Sequence, residues 1–208
     1  MRAMILKAFG EKLVPGDVPV PVPKDDEVLI RVRACGLCGS DLKITGGKIK
    51  TTPLPHIPGH EIAGEIVQCG KNAPRDLAGQ RVITHTYNSC KACDSCRAGA
   101  YCVCPDLNGR LGFELPGGLG EYVTVHAANC VPLPGNIEFT GACIIPCAML
   151  SIYHGINRGK VKPGDRVAML GVGGLGIHGV QFLALRGIEV TAIDVKKEKL
   201  DYAKELGA

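Results

Sequence analysis

Tryptophan is absent from the 208 residues, and aromatic side chains make up only 4% of them. A core must therefore be packed mostly from Val, Ile, Leu and Ala, which the hydrophobic content of 46% makes possible. No run of five or more basic residues occurs, and the formal charge of +4 is spread along the chain, which argues against nucleic acid as a partner. No stretch approaches the roughly 18 consecutive apolar residues of a transmembrane helix, so no membrane partner is expected. The opening MRAMILKAFGEK lacks the apolar stretch of a signal peptide, and the expected compartment is the cytosol.

What is abundant is cysteine, glycine and proline: 11, 28 and 14 residues. In a reducing compartment the cysteines are expected as thiols and metal ligands, not disulfides. Nearly all the prolines fall before residue 150. That first part reads as short strands, EVLIRVRAC, EIAGEIVQC, QRVITHT and GEYVTVHAANCVPLP, with Val and Ile alternating and Gly or Pro at the breaks. A small β-barrel or sandwich with long loops is expected over residues 1–150. From about residue 147 the texture changes. CAMLSIYHGINRG has helical spacing. RVAML reads as a strand of the fully buried type, IHGVQFLALRG as a helix ending at Gly187, EVTAID as a second strand and KEKLDYAKELG as a further helix. This is a βαβ unit plus a helix over residues 151–208. A doubly wound sheet needs about five or six parallel strands, and only two are placed, so a truncated chain is expected.

Residues 89–104, SCKACDSCRAGAYCVC, hold five cysteines. Cys90, Cys93, Cys96 and Cys104 are spaced so that four sulfurs can face one centre, which suits zinc and also an iron–sulfur cluster. Cys102 is read as a bystander. A closed four-sulfur site leaves no position for a substrate and would brace its loop. Two further cysteines and a histidine stand at turns: Cys38 in GLCGSD, His60 in PGHEIAGEIVQCGKNA and Cys147 in IIPCAML. A Cys2His set with one open position is a catalytic zinc arrangement, although spacing alone does not single these three out, and an isolated cysteine is more often a small buried hydrophobe.

Taken together, GHEIAGEIVQCGKNA, the four-cysteine lobe, CGSD, GGLGEYV and GVGGLG resemble the zinc-dependent medium-chain alcohol dehydrogenases, over nearly the whole chain. The resemblance implies an α/β chain, with a GroES-like β-barrel catalytic domain followed by a partial Rossmann domain. It implies a catalytic zinc on Cys38, His60 and Cys147, a structural zinc on the lobe cysteines, and NAD. Glu61 would sit near the metal, Asp41 would accept a hydrogen bond from His60, and Ser40 would take the substrate proton. Two positions depart from the family pattern: Lys43 stands where many relatives carry a relay histidine, and Gly39 where many carry Arg or His. Cys35, Cys69, Cys130 and Cys143 are read as packing residues, and His56, His85, His126, His154 and His178 as structural.

GVGGLG supplies Gly171, Gly173, Gly174 and Gly176 between a strand and a helix, the setting that a dinucleotide turn requires. The helix N-terminus attracts pyrophosphate charge. Asp194, at the end of the second strand, is expected to pair with the adenosine ribose and to favour NAD over NADP. Lys199 matches a family lysine near that ribose. The expected reaction is oxidation of a small-molecule alcohol to an aldehyde or ketone, or its reverse, in a protein that is a homo-oligomer at full length; with the nicotinamide half of the site beyond residue 208, weak NAD binding is expected. Polyol, sugar or amino-alcohol dehydrogenation, enal reduction and a non-catalytic zinc scaffold are the alternatives.

Overall fold

The computed structural model describes residues 1–208, which form two compact units, Met1–Pro146 and Cys147–Ala208. The first unit opens with two short strands, β1 (Arg2–Ile5) and β2 (Val14–Asp17), paired antiparallel. The long strand β3 (Glu27–Gly36) leads into the short helix α1 (Gly39–Thr45). Then come β4 (Glu61–Cys69), β5 (Arg81–Thr84), the one-turn helix α2 (Asp94–Arg97), β6 (Tyr122–His126), β7 (Cys130–Pro132) and the one-turn helix α3 (Phe139–Ala142). Five strands make one antiparallel sheet in the order β6-β3-β4-β5-β7.

Residues two or four apart along the strands share one core face, while Leu29, Ala63 and Ile83 beside them are buried as well. Val28 and Ile30 of β3, Ile62 and Ile66 of β4, Val82 of β5, and Val123 and Val125 of β6 are almost wholly buried and form one cluster. Burial of such side chains contributes about 1.5–3 kcal/mol each. The segment GEYVTVHAANCVPLP is not a single strand: a 3₁₀ turn at Ala127–Asn129 separates β6 from β7, and the two occupy opposite edges of the sheet. Strands β1 and β2 and helix α1 carry no periodic signal in the sequence; four residues are too few to show alternation.

The turn Arg110–Leu115 carries a partly buried ion pair. The Arg110 backbone N–H and Nε each donate to Glu114 Oε2 at 3.0 Å, and Thr51 Oγ1 donates to Glu114 Oε1 at 2.6 Å. The Arg110 guanidinium, with Thr51, holds the Glu114 carboxyl down to about 2, from an ordinary 4.5. A carboxyl depressed on folding stabilises above its unfolded pKa and loses that contribution as pH falls through the folded one. Glu114→Gln is therefore expected to flatten the fall in melting temperature between about pH 4.5 and about pH 2; an identical pH profile in variant and parent would show that the ion pair contributes nothing.

A π-helical turn at Ile145–Met149 spans the boundary between the units; the second unit continues with α4 (Leu150–Arg158), β8 (Arg166–Leu170), α5 (Gly176–Ala184), β9 (Glu189–Ile193) and α6 (Lys197–Glu205). Strands β8 and β9 pair in parallel, as a helical crossover between them requires. Ile156, Val180, Leu183, Val190 and Ala203 form the core, with Val167 and Met169 packed on it. RVAML is thus not fully buried. Arg166, Ala168 and Leu170 face away from the core, and Leu170 is 76% exposed. The reason is that α4, α5 and α6 gather on one face of the pair, so alternate side chains of both strands are left uncovered. Helix α5 stops three residues short of Gly187, which adopts φ +68° in the turn beyond it. The segment Phe139–Arg158 is long and apolar enough to cross a membrane by length and composition alone. It is divided by Pro146 into α3, the π turn and α4, and α3 buries Ala142 in a cluster with Ala63 and Ile83 of the sheet.

Candidate metal centres and nucleotide turn

The β3–β4 register places Gly36 opposite Glu61 and Cys35 opposite Ile62. Cys38 lies just beyond the end of β3 and His60 just before the start of β4, so the register itself sets these two side chains side by side. The ligand atoms of Cys38, His60 and Glu61 all fall within 4.8 Å of one another. Asp41 binds this corner together. Its Oδ2 accepts from the Cys38 backbone N–H at 2.8 Å, and its Oδ1 lies 3.3 Å from His60 Nδ1. A carboxylate at Nδ1 directs the other ring nitrogen, Nε2, toward the ligand group. Burial opposes ionisation of Cys38, but the Ser40 backbone N–H and the His60 ring outweigh it and set the thiol below its ordinary range. Burial likewise opposes protonation of His60, and Asp41 and Cys38 overcome it.

Glu61 is 2% exposed. A β carbon on Gly36 would crowd Glu61 Oε2 and Ile144, so any larger residue there would push the carboxylate from its place. Ser40 is half-buried in the first turn of α1, with its hydroxyl directed to Cys38. Lys43 is exposed on the same helix. Cys147 occupies the π-helical turn and is the first residue of the second unit, directly after Pro146.

The lobe cysteines close around a second centre. Cys90 Sγ lies 3.9 Å from Cys96 Sγ and 3.5 Å from Cys104 Sγ, and Cys93 Sγ lies 3.9 Å from Cys104 Sγ. A disulfide needs about 2.05 Å. Four sulfurs at about 2.3 Å from a tetrahedral centre stand about 3.8 Å apart, so the spacing fits a shared metal ion. Backbone N–H groups back up the sulfurs: Cys93 donates to Cys90 Sγ and Cys96 to Cys93 Sγ, each at 3.4 Å. The N–H groups of Ala92 and Cys93 hold the Cys90 thiol down to about 6, while at Cys93 the Cys96 N–H is outweighed by burial and hydrogen bonds among the sulfurs, which push the thiol up to about 12, so without a cation the four sulfurs do not ionise together. Cys102 is exposed and outside the group. At the root of the lobe the Tyr101 ring stands edge-on to His85, with centroids 5.6 Å apart. Burial pushes the thiols of Cys35 and Cys130 up to about 12, as suits inert packing residues.

In the second unit Gly171 has φ +84°, and a β carbon on Gly176 would meet the Gly171 carbonyl oxygen at 1.9 Å. The turn can close only on glycine. Over Gly174 there is nothing within 4 Å, and over Gly173 only Lys199 Nζ at 3.8 Å, which leaves the backbone open to a ligand. Asp194 braces the turn: Oδ2 accepts from the Val172 N–H at 3.0 Å and Oδ1 from the Lys196 N–H at 3.0 Å, with Lys199 Nζ 3.7 Å from Oδ2. These contacts, the Lys196 N–H foremost, hold its carboxyl below the usual range. The bond from Val172 to Asp194 has no signal in the sequence, because it joins the turn to the far end of the next strand.

A five-stranded antiparallel unit bearing two metal-ligand clusters, followed by a βαβ unit with a glycine turn, defines a GroES-like domain ahead of a partial Rossmann fold. Comparison with known proteins gives the same class. Residues 24–135, more than half of the chain, match the alcohol dehydrogenase GroES-like domain model, and the chain belongs to that family. An alcohol dehydrogenase of Geobacillus stearothermophilus is 37% identical over 210 aligned residues, covering 100% of this chain and 62% of the relative. The chain thus spans less than two thirds of that relative's length. The cobalt- and zinc-bound thermostable alcohol dehydrogenase of Pyrobaculum aerophilum superposes with a TM-score of 0.93 at 33% identity, covering 100% of this chain and 64% of that one. The acetophenone reductase of Geotrichum candidum, solved with NAD, gives 0.92 at 30% identity, covering 100% and 61%.

Proposed function

We propose that this chain is the metal-binding part, with the start of the nucleotide-binding part, of a zinc-dependent, NAD-linked enzyme. That enzyme interconverts an alcohol and its aldehyde or ketone, acting in the cytosol as a homo-oligomer. The observation that carries the reading is the Cys38–His60–Glu61 corner with Asp41 behind the imidazole. Cys147 is proposed as its third protein ligand. The lobe cysteines are proposed to hold a second, structural zinc.

Bound zinc at the corner supplies Lewis acidity that lowers the pKa of a substrate hydroxyl, and bound NAD supplies the hydride acceptor. The chain's own residues orient and move the proton. Asp41 fixes the His60 tautomer. Ser40 Oγ, beside Cys38, takes the hydroxyl proton. With Lys43 in the relay position, a water or the ribose hydroxyls of bound NAD would supply the next proton acceptor after Ser40 Oγ. Gly173 and Gly174 leave room for the pyrophosphate. Asp194, with Lys199 beside it, presents a carboxylate toward the ribose and repels a 2′-phosphate, which favours NAD over NADP.

The test is NAD reduction by a polypeptide carrying this chain at the full length of its relatives, with primary, secondary and polyhydric alcohols as substrates and Cys38→Ala as control. Alcohol-dependent NADH formation that the substitution abolishes is expected. NADH formation that survives in Cys38→Ala would sink the catalytic assignment, and a protein inert to all three classes would favour the scaffold reading.

A further inference from the structure

We infer that Phe113, clamped by the Arg110–Glu114–Thr51 bracket, is a positioning residue for the His60 imidazole and so governs how firmly the corner metal is held. The inference rests on the proposal that His60 is a metal ligand, and it adds a control element that none of the motifs in the sequence contains.

The geometry is a stack of contacts running outward from the ligand. The Phe113 ring lies against the His60 ring, with centroids 4.9 Å apart and planes inclined at 51°. On Phe113 sits the Arg110 guanidinium, 4.3 Å from the ring centroid. Glu114 holds that guanidinium through Nε and Nη2, and Thr51 holds Glu114 from a separate loop. Phe113 is 7% exposed and shares a cluster with Leu6 and with Ile44 of α1, the helix that carries Asp41. One ring therefore touches the imidazole and also packs against the helix that supplies its carboxylate partner.

The backbone around the turn is tied to the same place. The Gly117 N–H donates to the Ile57 carbonyl at 2.7 Å and the Gly118 N–H to the Gly59 carbonyl at 2.8 Å, while Thr86 Oγ1 reaches the His60 carbonyl at 3.4 Å. The imidazole is thus fixed at Nδ1 by Asp41 and on one face by Phe113. Without Phe113 the ring keeps its carboxylate partner but loses the packing contact that limits its tilt, and the ligand nitrogen is aimed less firmly. Arg110 acts one step further out, by holding the Phe113 ring down with a cation–π contact whose cation is itself neutralised by Glu114.

Outer partners of a ligating histidine change metal affinity by about 10- to 100-fold when removed, and that is the scale expected here. The test uses the 208-residue chain loaded with zinc, and separately with cobalt(II) for its ligand-field spectrum. Metal release to a chromophoric chelator is timed for the parent, Phe113→Leu, Phe113→Tyr, Arg110→Met and Arg110→Lys. Phe113→Leu is expected to speed release from one of the two centres by about 10-fold or more, and to broaden the cobalt band of that centre. Arg110→Met is expected to do so to a smaller extent. Phe113→Tyr and Arg110→Lys, which keep the ring and the cation, are expected to restore slow release. The four-cysteine lobe serves as internal control and should release at the parental rate in every variant, which separates the effect from general unfolding; the two Arg110 variants cover the case in which Phe113→Leu does not fold. Parental release rates and cobalt spectra in Phe113→Leu and Arg110→Met would overturn the inference while leaving two metals per chain. A parent that binds only the lobe metal would overturn the reading beneath it, and the inference with it.

Discussion

Cys93→Ser is expected to release one metal per chain and to lower the melting temperature by roughly 10 °C. The lobe has almost nothing else to hold it. Between residues 88 and 108 the only buried side chains are Ser89, Cys96 and Cys104, and two of those three are proposed ligands. A segment with so little apolar burial is ordered by its metal, and metal loss belongs to the few substitutions that cost more than about 4 kcal/mol. At about 2–4 °C per kcal/mol for a chain of this length, the shift follows. Cys102→Ser, in the same lobe but exposed, is expected to leave both metal content and melting unchanged. Zinc analysis alongside thermal melting checks both; equal effects of the two substitutions would show that the lobe holds no metal.

Gly176→Val is expected to remove NAD binding and to destabilise the second unit alone. Even a β carbon would stand 1.9 Å from the Gly171 carbonyl oxygen, so the strand–turn–helix junction must move apart. Overpacking of this kind costs about 1–3 kcal/mol and more where backbone blocks relaxation. The displaced turn also gives up the bond from the Val172 N–H to Asp194, which aligns the expected ribose partner with the expected phosphate site. Calorimetric titration with NAD, together with zinc counting, separates the outcomes. The variant should keep its metals and lose the nucleotide. Binding at the parental affinity would show that the glycine turn is packing only.

How much of this was legible beforehand follows from the physics of each feature. EVLIRVRAC and EIAGEIVQC read as strands because alternation over nine residues is long enough to register, and in the structure they pair across the sheet centre. The lobe spacing was readable because its ligands are close in sequence, so local geometry alone brings them together. Cys38 and His60 were reachable only through resemblance: what unites them is a strand register, and no spacing rule encodes it. The burial of RVAML was misjudged because an apolar run records what a strand tolerates, whereas exposure depends on how many faces its neighbours cover. The contact between Phe113 and His60 had no signal at all. It is made by a turn far along the chain, whose single aromatic residue looks like any core phenylalanine.

X-ray absorption on the zinc-loaded chain, combined with a zinc count, is the most direct measurement. Two zinc ions per chain are predicted, one with four sulfur neighbours and one with mixed sulfur and nitrogen neighbours, the second disappearing in Cys38→Ala while the first stays. A single zinc with sulfur neighbours only, unchanged by that substitution, would contradict a catalytic centre at Cys38 and His60.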